Sequence, residues 1–275
     1  MNSYVELLRP NNGILAVLGM VIGAIVGTSF VASKSVEIIL AIIVAFFING
    51  AGNVINDYFD HNIDKINRPD RPIPSGRVKR KNVATYFFAL IAVSLLLSWF
   101  VSADFFIIAL VNSIVSFVYS WKLKGTPLLG NLSVSWLAAS TFIAGALIVH
   151  TFAALPTAVL IFGAIGFLGT LSREIFKDVE DVKGDKENGA KTLPIVIGEK
   201  SAELFASFVL LVGIFSLLIP VYNHMFSIFY YIGAVPAIFI CLAAIAKMKN
   251  PHKSQKLIKI AMYFIFLGFI LGTVL

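Results

Sequence analysis

The chain has 275 residues, 58% hydrophobic and only 13% charged, with a mean hydropathy of +0.88 and a formal charge of +7. Soluble domains carry roughly 25% charged and 45–50% apolar residues, so this chain lacks the polar surface to cover a globule in water. A soluble enzyme and a disordered tail are excluded, and Cys241, the one cysteine, excludes a disulfide scaffold.

A helix needs about 20 mostly apolar residues to cross a bilayer. In chain order, nine segments qualify: 13–33, 36–56, 83–102, 104–121, 131–151, 154–173, 202–222, 226–246 and 257–275. The first is longer than a signal-peptide core of about 7–15 residues and has no basic segment before it, so cleavage is not expected. The expectation is an all-α polytopic membrane protein with nine transmembrane helices in a single domain, 1–275.

Charge sets the orientation. With the N-terminus cytoplasmic, 21 of the 22 Lys and Arg fall on the cytoplasmic side and only Lys34 falls outside, as the positive-inside rule requires. The C-terminus then lies outside the cell membrane. The +7 charge is thereby explained by topology and by attraction to anionic headgroups, without nucleic acid. No protein partner is evident.

Acidic residues are placed differently. Ten of the 15 lie in two short cytoplasmic stretches, which topology does not require. The first runs Asn56-Asp57-Tyr58-Phe59-Asp60-His61-Asn62-Ile63-Asp64, then a basic, proline-rich loop with Arg68, Arg71, Pro72, Pro74, Ser75 and Gly76. At 100° per residue Asn49, Asn53, Asn56, Asp60 and Asp64 share a helical face. The stripe begins inside an apolar span, where polar groups facing lipid are costly, so a protein cavity is its expected surrounding. The second stretch, Lys177 to Asp185, places Thr170, Glu174, Asp178, Asp181 and Asp185 on one face and ends in Gly189-Ala190-Lys191-Thr192-Leu193-Pro194. Four spans separate the stretches, so both emerge on the same side. Asn112, Ser116 and Tyr119 share a face before Lys122 and Lys124.

Paired carboxylate motifs suit a diphosphate held by magnesium. Mg²⁺ takes a few carboxylate oxygens, substrate phosphate oxygens and water. It neutralises a diphosphate as the C–O bond breaks, while Lys and Arg hold the remaining oxygens. The apolar body suits a long hydrocarbon on that diphosphate. The competing account of each motif is a solvated face paired with lysines and arginines. Two motifs on one side, both rooted in polar stripes, weigh against it. Tyr119, Lys122 and Lys124 also fit an interfacial belt, and Asn112 and Asn131 fit hydrogen bonds between helices. His61 and His150 have no metal-ligand spacing.

Asn56-Asp57-x-x-Asp60-x-x-x-Asp64 with Arg71-Pro72-x-Pro74-Ser75-Gly76 resembles the first signature of the UbiA superfamily of intramembrane prenyltransferases. Lys177-Asp178-x-x-Asp181-x-x-x-Asp185 with Thr192-Leu193-Pro194 resembles the second. The likeness covers nearly the whole chain. It implies helices around a central cavity open toward the cytoplasm, with a lateral gap to lipid. It also implies that Asn56, Asp60 and Asp64 bind Mg²⁺ from one side and Asp181 and Asp185 from the other, with Asp57 and Asp178 in support. Arg71, Lys122, Lys124 and Lys177 become candidates for phosphate contacts, with Tyr119 beside the substrate.

Within the family, the Arg9-Pro10-Asn11 start and Tyr119-Ser120-Trp121-Lys122-Leu123-Lys124-Gly125-Thr126 resemble the archaeal ether-lipid branch. Its members move a geranylgeranyl group from its diphosphate to the free hydroxyl of geranylgeranylglyceryl phosphate. The cations among the acids, including Arg68, Arg71, Arg77 and Lys177, suit an acceptor that carries its own phosphate. The alternatives are prenylation of an aromatic acid or quinone precursor such as 4-hydroxybenzoate, and, from another class, a cation transporter. A transporter calls for ionisable residues near mid-membrane, which the last three spans almost lack.

Overall fold

The computed structural model describes residues 2–28 and 34–274. Residues 29–33, the end of the first expected span, and residue 275 lie outside the described residues. The described residues form helices and no strands: α1 (Ser3–Leu8), α2 (Pro10–Thr28), α3 (Ser35–Phe59), α4 (His61–Asn67), α5 (Arg80–Trp99), α6 (Ala103–Val118), α7 (Leu129–Ala146), α8 (Thr157–Glu187), α9 (Leu193–Ile197), α10 (Glu199–Ser216), α11 (Ile219–Tyr222), α12 (Tyr231–Ala246) and α13 (Pro251–Val274). Eight stretches are long and apolar enough to cross a membrane, and they coincide with the second to ninth expected spans. The first expected span is α2, whose apolar stretch Gly13–Val26 is shorter, so the count among the described residues is eight rather than nine. The chain is a multi-pass membrane protein.

Two ends differ from the sequence expectation for clear local reasons. The sixth span was expected to stop near residue 173, where the apolar run ends. Its helix α8 continues as one piece of 31 residues to Glu187, because Lys, Glu and Asp solvate a helix without breaking it. It ends two residues before Gly189, which takes φ +72°. The fourth span closes in a wide π turn over Tyr119–Leu123 instead of a simple helix end.

The chain divides into two compact units, Met1–Lys122 with Ile143–Leu155, and Leu123–Phe142 with Pro156–Leu275. The core of the first joins Leu7 and Leu8 of α1 to Val54 and Ile55 of α3 and to Val83 and Phe87 of α5. Ile73 and Val78 anchor the loop between α4 and α5 in the same cluster. In the second unit Ile175, Phe176 and Val179 of α8 pack among Ala202, Ala206, Ala237, Ala244 and Ala261. Small residues there let helix backbones approach closely, as membrane helices do where burial from water is no driving force. Large apolar side chains such as Phe88, Leu96, Phe208 and Phe239 face outward.

Candidate active site

In the first unit a single residue interrupts the helix that carries the polar stripe. Asp60, at φ −76° and ψ −1°, ends α3 and begins α4. The Asp60 amide still donates to Asn56 O at 2.9 Å and the Asp64 amide to Asp60 O at 2.8 Å. The i to i−4 ladder therefore passes through the junction and keeps Asn56, Asp60 and Asp64 in helical register. Asn56 Nδ2 donates to Asp60 Oδ2 at 2.9 Å. Asp64 is buried, and its Oδ2 accepts from Arg71 Nη1 at 2.6 Å. Asp57 is buried too, and its Oδ1 accepts from Arg9 Nη2 and from Arg71 Nη1, the latter at 3.2 Å.

The proline-rich loop is folded to aim Arg71. The Ser75 amide and hydroxyl both donate to Arg71 O, at 3.0 and 2.7 Å. The Val78 amide reaches Pro72 O at 2.9 Å, and Gly76 turns the chain at φ +76°, a conformation glycine takes without a Cβ penalty. Arg77 is engaged within the protein. It grips Glu6 at 2.6 and 3.0 Å and donates to Asp70 O, and that guanidinium holds the Glu6 carboxyl below the usual carboxylate range. Burial draws the Arg9 guanidinium below its ordinary range, with Asp57 opposing the shift.

The second unit holds the other carboxylates on α8. Asp178 Oδ2 accepts from Asn131 Nδ2 of α7 at 2.8 Å, so Asn131 does bond between helices, and its own Oδ1 is buried without a partner. Asp185 Oδ2 accepts from Thr192 Oγ1 at 3.3 Å, and Thr192 is buried. Asp181 is exposed one turn before it. Glu174, buried deeper along the helix, accepts from Arg173 at 2.5 Å and from Lys177 at 3.5 Å. Lys177 is thus drawn partly toward Glu174. The Lys191 amide donates to Gly125 O at 2.8 Å and fastens the end of the second motif to the turn after the π segment. Tyr119 and Lys122 lie on that segment, in the first unit. Lys122, like Lys124 in the second, is exposed.

Each set fits magnesium in its chemistry. Both present hard oxygen donors, and Mg²⁺ is commonly held by one or two carboxylates with substrate phosphates and water completing the octahedron. Among the described residues no group of three or more His, Cys, Asp or Glu is gathered to hold an ion by protein ligands alone. A sparse ligand set of this kind leaves coordination positions for a diphosphate.

Residues 14–270 match the UbiA prenyltransferase family. The chain belongs to this family. A digeranylgeranylglyceryl phosphate synthase of Methanosphaera stadtmanae is 39% identical over 281 residues, covering 99% of this chain and 100% of the relative. A solved structure concerning digeranylgeranylglyceryl phosphate synthase in membranes superposes with a TM-score of 0.84 at 32% identity, over 99% of this chain and 98% of that one. A UbiA homologue from Archaeoglobus fulgidus, bound to DMAPP and Mg²⁺, shares the fold with a TM-score of 0.76 at 21% identity, over 99% of this chain and 100% of that one.

Within this UbiA protein, some partners of the site residues had no mark in the sequence. Arg9 stands before an apolar span, where a cation reads as a topology signal, yet its side chain reaches Asp57 across 48 residues. Thr192 carried a weak signal as part of the second signature. Asn131 was legible only as an amide between helices, without its target. Ser120, buried on the π turn with an unpartnered hydroxyl, was legible in the sequence only as part of the Tyr119–Thr126 stretch.

Proposed function

We propose that this UbiA-family protein transfers a geranylgeranyl group from geranylgeranyl diphosphate to the free hydroxyl of geranylgeranylglyceryl phosphate, with Mg²⁺. The product is a diether precursor of membrane phospholipid. The observation that carries this reading is the end-to-end likeness to a digeranylgeranylglyceryl phosphate synthase at 39% identity. We treat residues 1–275 as one prenyltransferase domain, with the N-terminus and both acidic stretches cytoplasmic and the C-terminus outside.

In this reading Asn56, Asp60 and Asp64 bind Mg²⁺ in the first unit and Asp181 and Asp185 do so in the second, with Asp57 and Asp178 in support. Bound Mg²⁺ supplies charge neutralisation to the departing diphosphate. Arg71, Lys122, Lys124 and Lys177 bind its oxygens by charge-assisted hydrogen bonds, and Tyr119 lies beside the substrate. Loss of diphosphate leaves an allylic cation. Aromatic faces stabilise such a cation by roughly 0.5–2 kcal/mol each, and apolar helix surfaces keep water from it. The acceptor hydroxyl oxygen then bonds to the allylic carbon, and a base removes its proton, leaving the ether and free diphosphate. Exposed Arg68 is a candidate for the acceptor phosphate, whereas Arg77 is engaged by Glu6.

The test is transfer by the reconstituted protein with Mg²⁺ and geranylgeranyl diphosphate, offered geranylgeranylglyceryl phosphate and 4-hydroxybenzoate in parallel, with products read by mass spectrometry. Diether phosphate alone is expected. A prenylated aromatic would keep the chemistry and replace the acceptor. Absence of transfer to either would overturn the proposal.

A further inference from the structure

Arg9, Asp57, Arg71 and Asp64 form one continuous run of ion pairs inside the first unit. A single nitrogen, Arg71 Nη1, reaches Asp64 at 2.6 Å and Asp57 at 3.2 Å. The Asp57 oxygen that receives it also receives Arg9. Asp57 is 4% exposed. A buried carboxylate with two guanidiniums at hydrogen-bond distance has its charge matched already. A divalent ion at the same group would meet two guanidiniums, where at Asp64 it would meet one, so Asp57 is the poorer metal ligand of the two.

Arg9 is fixed from the other side. Its backbone is left-handed, at φ 49° and ψ 66°, where it caps α1 through a 3.2 Å bond from its amide to Glu6 O. A long side chain holds that conformation only where its surroundings over-determine it. Here Leu7 and Leu8 are buried in the core, and Asn53 Nδ2 donates to Leu8 O at 3.0 Å. The α1–α2 corner is therefore anchored to α3, the helix that bears the polar stripe.

We propose that Arg9 and Asp57 are a positioning couple: they hold Arg71 against Asp64, setting that carboxylate for metal and turning the rest of the guanidinium to the donor diphosphate. Asp57 thus acts through Arg71 and does not ligate magnesium. The inference rests on the prenyl-transfer reading above.

The experiment uses the full chain in lipid nanodiscs, with Mn²⁺ and inorganic diphosphate as probes and bound Mn²⁺ counted by electron paramagnetic resonance. Donor KM and kcat are measured in parallel. Asp60→Asn is expected to lose bound Mn²⁺, whereas Asp57→Asn and Arg9→Ala keep the wild-type count. Both raise the KM for geranylgeranyl diphosphate by roughly 10- to 100-fold, the range for a lost hydrogen bond to a charged group. Arg9→Lys recovers most of it, because Arg9 makes one contact with Asp57 and an ammonium can replace a single contact. Where Arg9→Ala yields no folded protein, Arg9→Gln with Asp57→Asn removes both charges of the pair and must show the same rise in KM. Loss of Mn²⁺ from Asp57→Asn, or an unchanged donor KM in Arg9→Ala or in the Arg9→Gln, Asp57→Asn double variant, overturns the positioning couple alone. Wild-type protein that binds no Mn²⁺ with diphosphate overturns the prenyl-transfer reading beneath it.

Discussion

Asp178 and Asp57 are both carboxylates at the root of an acidic motif, yet one is held by a neutral amide and the other by two cations. The amide is the more fragile arrangement. Asn131→Leu keeps the bulk but removes the N–H from the half-buried Asp178, and losing one hydrogen bond of this kind costs about 1 kcal/mol. A lower thermal midpoint is expected, with Asp181 and Asp185 themselves unchanged. Asp60→Ala and Asp185→Ala are expected to do the reverse. Asp60 sits at a helix junction and Asp185 in the last turn of α8, so neither supports the core. Turnover should fall by orders of magnitude while expression and midpoint stay near wild type. Near-native activity in both variants would remove the metal assignment. These residues were legible because an i, i+4 carboxylate pattern is local. The targets of Arg9 and Asn131 were not, because partners 48 or 47 residues away depend on how helices cross.

Helix crossings explain where substitutions are tolerated. On α12, a Cβ added at Gly233 would lie 2.2 Å from Phe264 O and 2.3 Å from Gly268 N. These are backbone atoms of α13 that cannot yield, so the two helices touch through Gly233 and Gly268 directly. Gly233→Ala should destabilise by about 3 kcal/mol or more, the upper range of overpacking. Gly213 in α10 is also helical, but a Cβ there meets Leu168 Cβ at 3.5 Å, an ordinary contact. Gly213→Ala should be neutral or stabilise by up to about 1 kcal/mol, since glycine loses more chain entropy inside a helix. Comparing the two midpoints separates a glycine required by a close crossing from one that is merely present. Sequence distinguishes neither, because both read as small residues in apolar runs. The same limit applied to helix ends. Apolar content located eight of the spans within a few residues, but it could not foresee that α8 runs on to Glu187. Nor could it foresee the junction of α3 and α4 at Asp60.

At the scale of the whole molecule, the side on which the acids emerge is a matter of parity. In the first unit Glu6 meets Arg77 and Arg9 meets Asp57, so the chain before α2 and the chain after α3 share one end. Two crossings between them satisfy this. Helix α2 has 19 residues, but its apolar stretch, Gly13–Val26, is about 21 Å at 1.5 Å per residue against a hydrocarbon core of about 30 Å, so whether α2 crosses is what cysteine labelling decides. Ser102 Oγ donates to Leu147 O at 2.7 Å and the Phe152 amide to Asp104 at 3.0 Å, returning the chain to one end after α6 and α7. In the second unit His252 and Gln255 bond Glu180 at 2.6 and 3.3 Å, after α10 and α12. Every pair is consistent with alternate crossing. The lone Cys241 is buried, so Cys241→Ala gives a thiol-free background for labelling. In intact cells an impermeant maleimide should label Lys34→Cys, Thr151→Cys and Asn223→Cys. It should reach Ser3→Cys, Lys65→Cys, Lys186→Cys and Lys249→Cys only after permeabilisation. Labelling of Ser3→Cys together with Lys34→Cys would place α2 on the surface and leave eight spans. Reversal of the whole pattern would put the carboxylates outside and overturn the cytoplasmic placement in the proposed function.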